Sequence, residues 1–261
     1  NYRPDMIILG HSDIIKNSTL EKIRIILPNC KIIMWNVDHL LINNTLNKLQ
    51  DRSLFVDQCF ITTGDKMISG AAINGMNVSY IPNIFDNSID TLKVFNNNDY
   101  RYDIFFAMSH GVASGVLKKG KTDGREKKLF TIANNPLINV NFYGYNNIEP
   151  IWANKLTTEL SHSLMGLNLN SGKAMHLYSS DRISTYMGNG LLTFIDKAYG
   201  FDSIYKKDEF ISYESDEDLI DKIIYYKSNL KEAKKIAKNG WDKSCLLYTS
   251  QSPRDVEESG M

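Results

Sequence analysis

The sequence has little of what marks disulfide-linked, membrane-spanning or nucleic-acid-binding proteins. Its only cysteines, Cys30, Cys59 and Cys245, are spaced for neither disulfides nor zinc, which is typical of a reducing compartment. No apolar run is long enough to cross a bilayer. Thirty Lys and Arg balance thirty Asp and Glu, so no basic excess points to nucleic acid. We therefore expect a cytoplasmic globular protein without a nucleic-acid partner.

The two ends of the chain look like those of an internal fragment. The sequence starts at Asn1 rather than Met and enters an apolar segment almost at once. Near the other end, the hexapeptide Cys-Leu-Leu-Tyr-Thr-Ser resembles the translation of a transposase adapter used in sequencing libraries. We predict that residues 245–261 are a non-native tail outside the core. The alternative is a natural polar tail.

Short apolar segments alternate with helical patterns in the first eighty residues. Ser18 and Glu21 form a capping-box pattern that predicts a helix to about residue 27. Helical spacing also covers residues 40–49, and a small-residue helix is expected to about residue 73. The predicted strands lie at 6–10, 31–35, 58–62 and 77–82. This alternation is typical of parallel β/α units.

A polar, Asn-rich stretch then predicts a domain boundary near residues 83–100. Beyond it the alternation restarts, and a single long helix over 215–239, ended by Gly240, is expected last. We predict an α/β fold of two Rossmann-like β/α/β domains with a cleft between them. The partial N-terminal domain takes residues 1–90 and the second domain residues 91–244. The second domain's predicted strands are 103–108, 139–144, 163–169 and 191–195, and its other helices are 125–133, 152–160 and one before 188.

The residues that follow the strands of the second domain are the candidates for ligand binding, because open parallel sheets bind ligands beyond the carboxyl ends of their strands. Small residues and an arginine at a helix N-terminus suit an anion such as a nucleotide diphosphate. Plainer alternatives are a surface pair of Arg182 with Asp181, a helix C-cap at Gly188–Gly190 and a solvated basic loop around Arg125. The candidates are Ser109, His110, Gly111, Arg125, Tyr145, Asn170, Ser171, Ser180, Asp181, Arg182, Ser184, Thr185, Gly188, Asn189 and Gly190.

Three stretches of the second half carry a family resemblance. SSDRISTYMGNGLLTFID at 179–196, FISYESDEDLIDKIIYYKSN at 210–229 and AKKIAKNG at 233–240 resemble the C-terminal donor domain of GT-B glycosyltransferases. The most similar type is the CgeB-like "glycosyl transferases group 1" domain. Many related retaining enzymes carry two glutamates eight residues apart. The corresponding positions here hold Leu177 and Thr185, which is a departure from that pattern.

The resemblance implies an enzyme that moves a sugar from a nucleotide-diphosphate donor to a glycan or lipid-linked acceptor. In that family the nucleotide sugar is a substrate, and neither a cofactor nor a metal is normally needed. A lipid-linked acceptor would allow peripheral association with the inner face of a membrane. The alternative is a non-catalytic module, either a two-lobed ligand-binding protein or a degenerate GT-B domain.

The first domain is expected to face the acceptor. Direct displacement needs a general base within hydrogen-bond reach of the acceptor hydroxyl. Asp38 and His39 follow the second predicted strand and are the first candidates, and His11, after the first strand, is the next. The alternative for Asp38 is the N-cap of the following helix.

Overall fold

A computed structural model describes two compact units in the chain. The described residues are 3–10, 14–41, 44–64, 77–83, 85–109, 124–146 and 148–248, with the side chains of 246–248 excepted. The first unit comprises residues 1–83 and 172–180, and the second comprises 84–171 and 181–261.

The first unit contains a four-stranded parallel sheet in the order β1-β2-β3-β4. Leu20, Ile32, Cys59 and Ile61 are fully buried in its core. This is the layered β/α arrangement that the apolar segments predict. Its elements are β1 (Met6–Leu9), α1 (Asn17–Ile26), β2 (Lys31–Asn36), α2 (Thr45–Ser53), β3 (Gln58–Ile61) and β4 (Val78–Tyr80).

The two described helices of this unit begin at a different place from the predicted one. Lys16 is the N-cap of α1 and makes no side-chain cap bond, so Ser18 lies inside the helix and the expected capping box is absent. Helix α2 starts after Asn44, whose φ of 59° is left-handed, and not at residue 40. Asp38 is therefore not an N-cap. The helix predicted to end near residue 73 lies outside the described residues.

Residues 172–180 pack with the first unit, although the sequence boundary assigns them to the second domain. Met175 is 4% exposed and joins the first core, and Tyr178 packs against that core. Ser179 N donates to Thr62 O (2.8 Å), and Asn83 Nδ2 donates to Ser179 O (2.8 Å). The segment thus lies with the first sheet because its apolar side chains and backbone are satisfied there.

The second unit contains a five-stranded parallel sheet in the order β6-β5-β7-β8-β9. Its predicted strands are all present, and a short edge strand, β9, was not predicted. The buried strand β7 lies near the centre of the sheet. The elements are β5 (Tyr102–Ala107), α3 (Arg125–Ala133), β6 (Val140–Tyr143), α4 (Ala153–Ser161), β7 (Ser163–Asn168), α5 (Asp181–Gly188), β8 (Leu192–Asp196), β9 (Ile211–Tyr213), α6 (Asp216–Ser228) and α7 (Leu230–Tyr248).

The long helix predicted over 215–239 is two helices, α6 and α7. Asn229 separates them with a non-helical backbone (φ −118°, ψ 57°), and its Nδ2 donates to Tyr225 O (2.8 Å). Gly240 lies inside α7 and does not end it. A Cβ atom at this position would come within 2.2 Å of Glu209 O, so close backbone approach requires the glycine.

Candidate functional site

Arg182 is held at the carboxyl ends of two central strands, β5 and β7. It is the second residue of α5, and its Nε donates to Ala107 O at the end of β5 (2.9 Å). Its Nη1 donates to Oδ1 of Asn170, just after β7 (3.4 Å). The guanidinium Cζ lies 5.2 Å from the ring centroid of Phe106. Three contacts therefore fix the group at the edge where parallel sheets bind ligands.

Several charged groups act on the pKa of Tyr199, a residue that the sequence analysis missed. The residue is 5% exposed and lies just beyond β8. Burial raises the pKa of its hydroxyl, and the charge of Asp196 raises it further. The nearby amide of Asn170 and the positive charges of Arg182 and Arg125 act in the opposite direction. The same search of post-strand residues could have found Tyr199, because it follows a buried strand.

Helix α3 contributes Arg125 as its first residue, after Gly124 in a left-handed conformation (φ 87°). Lys128, one turn later, forms an ion pair with Asp216 (2.8 Å). Its Nζ also lies 4.8 Å from the ring centroid of Tyr213. The charges of Arg125 and Arg182 both act on the Tyr199 hydroxyl, whereas Lys128 is engaged with α6.

The small-residue turn after α5 makes the contacts of a helix C-terminus. Asn189 Nδ2 donates to Asp90 Oδ1 (2.7 Å) and to Thr185 O (2.9 Å). Cβ atoms built at Gly188 and Gly190 would lie 2.7 Å from Phe85 and 2.6 Å from Phe95. Ser184 Oγ donates to Asp181 O (2.9 Å). These contacts fit the C-cap alternative, and donor contact by this turn stays a prediction.

Other post-strand candidates differ in their surroundings. Ser109, after β5, is exposed, whereas Ser180 is buried. Ser171 and Thr185 are half-buried. The ring of buried Tyr145 packs against Phe130 and Phe142 at centroid distances of 5.5 and 5.8 Å, which is a core role. His110 and Gly111 lie outside the described residues.

His39 is anchored within the first unit and is a poor candidate for a general base. The ring is 5% exposed. Its Nε2 lies 2.9 Å from Lys173 O, and its Nδ1 accepts from Leu41 N (3.2 Å). It also makes an edge contact with Tyr178 at 4.8 Å. With Nδ1 as acceptor, Nε2 carries the proton, so both nitrogens are engaged by backbone groups.

Asp38 is exposed, just beyond the carboxyl end of β2. Its role as an acceptor-side base stays a prediction. His11, the remaining candidate, lies outside the described residues.

In the described part of the chain, no three His, Cys, Asp or Glu side chains are grouped so that they could hold a metal ion. Nor does that part contain a helix long and apolar enough to span a bilayer. A cavity of about 630 Å³ lies beside the edge strand β9, and no predicted site residue lines it.

The part of the chain that contains Arg182 is similar to a known protein family. The model of the family described as "Glycosyl transferase-like" matches residues 125–252, which include Arg125, Asn170 and Arg182. Because residues 125–252 are similar to that family, we call them the glycosyl transferase-like domain. The match extends beyond Cys245, so it includes the start of the predicted non-native tail, whose origin stays a prediction. No curated protein is similar enough to count as a relative of the chain.

Solved structures similar to this chain include several proteins of the fold expected from the sequence. Anabaena HepE, in a complex with UDP and glucose, has a TM-score of 0.60 at 12% identity, over 98% of this chain and 77% of HepE. TarM has a TM-score of 0.61 at 10% identity, over 99% of this chain and 55% of TarM. Sucrose-phosphate synthase from Thermosynechococcus elongatus has a TM-score of 0.55 at 11% identity, over 98% and 72%. The expected GT-B fold around the glycosyl transferase-like domain is confirmed.

Proposed function

We propose that the glycosyl transferase-like domain binds a nucleotide-diphosphate sugar and that the chain transfers this sugar to a glycan or other surface-polymer acceptor without a metal. The observation that carries the proposal is the fixed guanidinium of Arg182 at the ends of β5 and β7. The similar HepE structures contain UDP, UDP with glucose, and UDP-glucose. These ligands are of the donor class proposed here.

In this mechanism Arg182 stabilises the leaving diphosphate. The hydrogen bonds to Ala107 O and Asn170 Oδ1, two neutral acceptors, orient the guanidinium. Negative charge grows on the β-phosphate as the glycosidic bond breaks, and a positioned cation then binds the transition state more tightly than the ground state. Arg125, the first residue of α3, is a second cation whose charge, like that of Arg182, lowers the pKa of Tyr199.

On the acceptor side, we assign the general base to Asp38. Its carboxylate is exposed beyond β2 and can reach a hydroxyl, whereas the His39 ring is held by Lys173 O and Leu41 N. His39 instead positions the segment that precedes α5.

The test is sugar transfer from radiolabelled UDP-, GDP- and ADP-glucose by wild type, Arg182→Ala and Arg182→Lys. Removal of one preorganised donor is expected to lower kcat by about a hundred-fold. Lysine keeps the charge but loses the planar fork, so it should restore only part of the rate. Arg101→Ala is the matched control, because Arg101 is exposed and lies 5.3 Å from the ring of Tyr102, at the opposite end of β5. An unchanged rate in folded Arg182→Ala would overturn the proposal.

A non-catalytic, ligand-binding module is the second candidate. The related glutamate pair is replaced by Leu177 and Thr185, and Leu177 packs on Gly64, where a Cβ would lie 2.8 Å from the leucine Cβ. That position therefore serves packing. Under this alternative, the wild-type chain would retain the labelled nucleotide sugar but neither hydrolyse nor transfer it.

A further inference from the structure

We propose that Phe106 is a positioning residue for sugar transfer, because its ring holds the guanidinium of Arg182 in the orientation that meets the diphosphate. This inference rests on the proposed function. It adds a residue of the buried strand β5 that neither the sequence nor the family comparison points to.

Two consecutive residues of β5 fix Arg182 in complementary ways. Ala107 accepts the Nε–H bond through its carbonyl oxygen. Phe106, one residue earlier, places its ring 5.2 Å from the guanidinium Cζ, within the range of a cation–π contact. The hydrogen bond to Ala107 fixes the Nε–H direction, and the ring of Phe106 contacts the guanidinium beside it. Asn170 adds a third contact from the β7 side.

Phe106 differs from Phe142, its neighbour in the sheet, by its contact with the Arg182 guanidinium. Phe106 is 0% exposed and lies opposite Phe142 in the β5–β6 register, with the two ring centroids 6.1 Å apart. Phe142 is also buried, at 4% exposure. Among the described residues, the cation–π contacts include the ring of Phe106 but not that of Phe142. The two rings are therefore alike in burial and packing but differ in the cation–π contact with Arg182.

This difference allows a test that leaves ring shape almost unchanged. Fluorine withdraws electron density from the ring face and weakens its attraction for a cation. Phenylalanine with one, two or three ring fluorines is introduced at position 106 in the full chain, and the same series at position 142 is the control. Donor KM, kcat, the UDP dissociation constant and the melting temperature are measured for each protein.

The expected result at position 106 is a stepwise fall in kcat with each added fluorine, reaching about ten-fold for three. The donor KM should change less than kcat, because orientation matters most as charge develops in the transition state. The series at 142 should leave kcat unchanged. A flat kcat series at 106, or equal falls at 106 and 142, would overturn the positioning role.

A readout that needs no substrate separates this inference from the proposed function. The ¹⁵N–¹H resonance of Arg182 Nε, assigned by its loss in Arg182→Lys, should shift progressively with fluorination at 106 and not at 142. If the wild type transfers no sugar while the resonance shifts, the proposed function fails and the ring–guanidinium contact stands. If the resonance does not respond, the positioning role fails whether or not the chain is an enzyme.

Discussion

His39→Phe is expected to destabilise the first unit and to leave the pH dependence of sugar transfer unchanged. The substitution keeps a ring beside Tyr178 but removes both polar contacts of the imidazole, with Lys173 O (2.9 Å) and Leu41 N (3.2 Å). Each hydrogen bond is worth about 1 kcal/mol, and the partner residues Lys173 and Leu41 are themselves exposed, so no penalty for a buried unsatisfied partner is added. We therefore expect a loss of about 2 kcal/mol in the free energy of unfolding.

The measurement is urea unfolding of wild type, His39→Phe and His39→Gln, together with kcat between pH 5 and pH 9. Glutamine can replace one of the two bonds, so it should be intermediate in stability. His176→Gln, an exposed histidine in the same 172–180 segment, is the control and should have nearly wild-type stability. Unchanged stability of His39→Phe, combined with loss of the acidic limb of the pH profile, would show that His39 is the general base after all.

Three further predictions concern other parts of the chain. Gly240→Ala should lower the free energy of unfolding by about 2 kcal/mol despite alanine's better helix propensity, because its Cβ would lie 2.2 Å from Glu209 O; an unchanged melting temperature would refute this. Burial raises the pKa of Asp57, but hydrogen bonds from Ile32 N and Arg24 outweigh burial and lower the pKa below its ordinary value. The ionised carboxylate therefore stabilises the fold at neutral pH, and this stabilisation is lost as the pH falls through the lowered pKa. The stability advantage of wild type over Asp57→Asn in urea unfolding should therefore shrink from pH 7 to pH 3, and a constant difference would exclude the ion pair as its source. Asn170→Ala should lower kcat more than Ser171→Ala, because Asn170 Oδ1 accepts a hydrogen bond from Arg182 Nη1; equal rates in a transfer assay would contradict the assigned contact.

The sheets could be predicted from the sequence because their strands are short apolar runs bounded by polar residues. Segments such as residues 31–35 and 163–169 carry enough local hydrophobic signal to specify buried strands in parallel units. Edge strand β9 was missed because only three residues form it, and its Tyr213 is buried by distant packing. The break at Asn229 was missed because the charges and apolar residues on both sides continue a helical pattern.

The site was harder to predict because most of its geometry depends on residues far apart in the sequence. Placing Arg182 after a polar cluster identified a candidate, but its bond to Ala107 joins residues 75 positions apart. His39 looked like a base because the sequence does not show that Lys173 O occupies one of its ring nitrogens, 134 residues away. Gly240 resembled a helix end because the approach of Glu209 O is likewise not visible in the local sequence.

Residues 172–180 have a consequence for how the protein is made. The strands of the first sheet leave the ribosome before residues 172–180 do, so the first core lacks Met175 until β5, β6 and β7 have also been synthesised. During that interval the apolar surface that Met175 and Tyr178 later cover is open to solvent and to wrong partners. The ribosome must therefore synthesise the second unit as far as β7 before the first unit can finish folding. A fragment cut after residue 83 is expected to aggregate, whereas one that continues through residue 180 also carries three of the five strands of the second sheet.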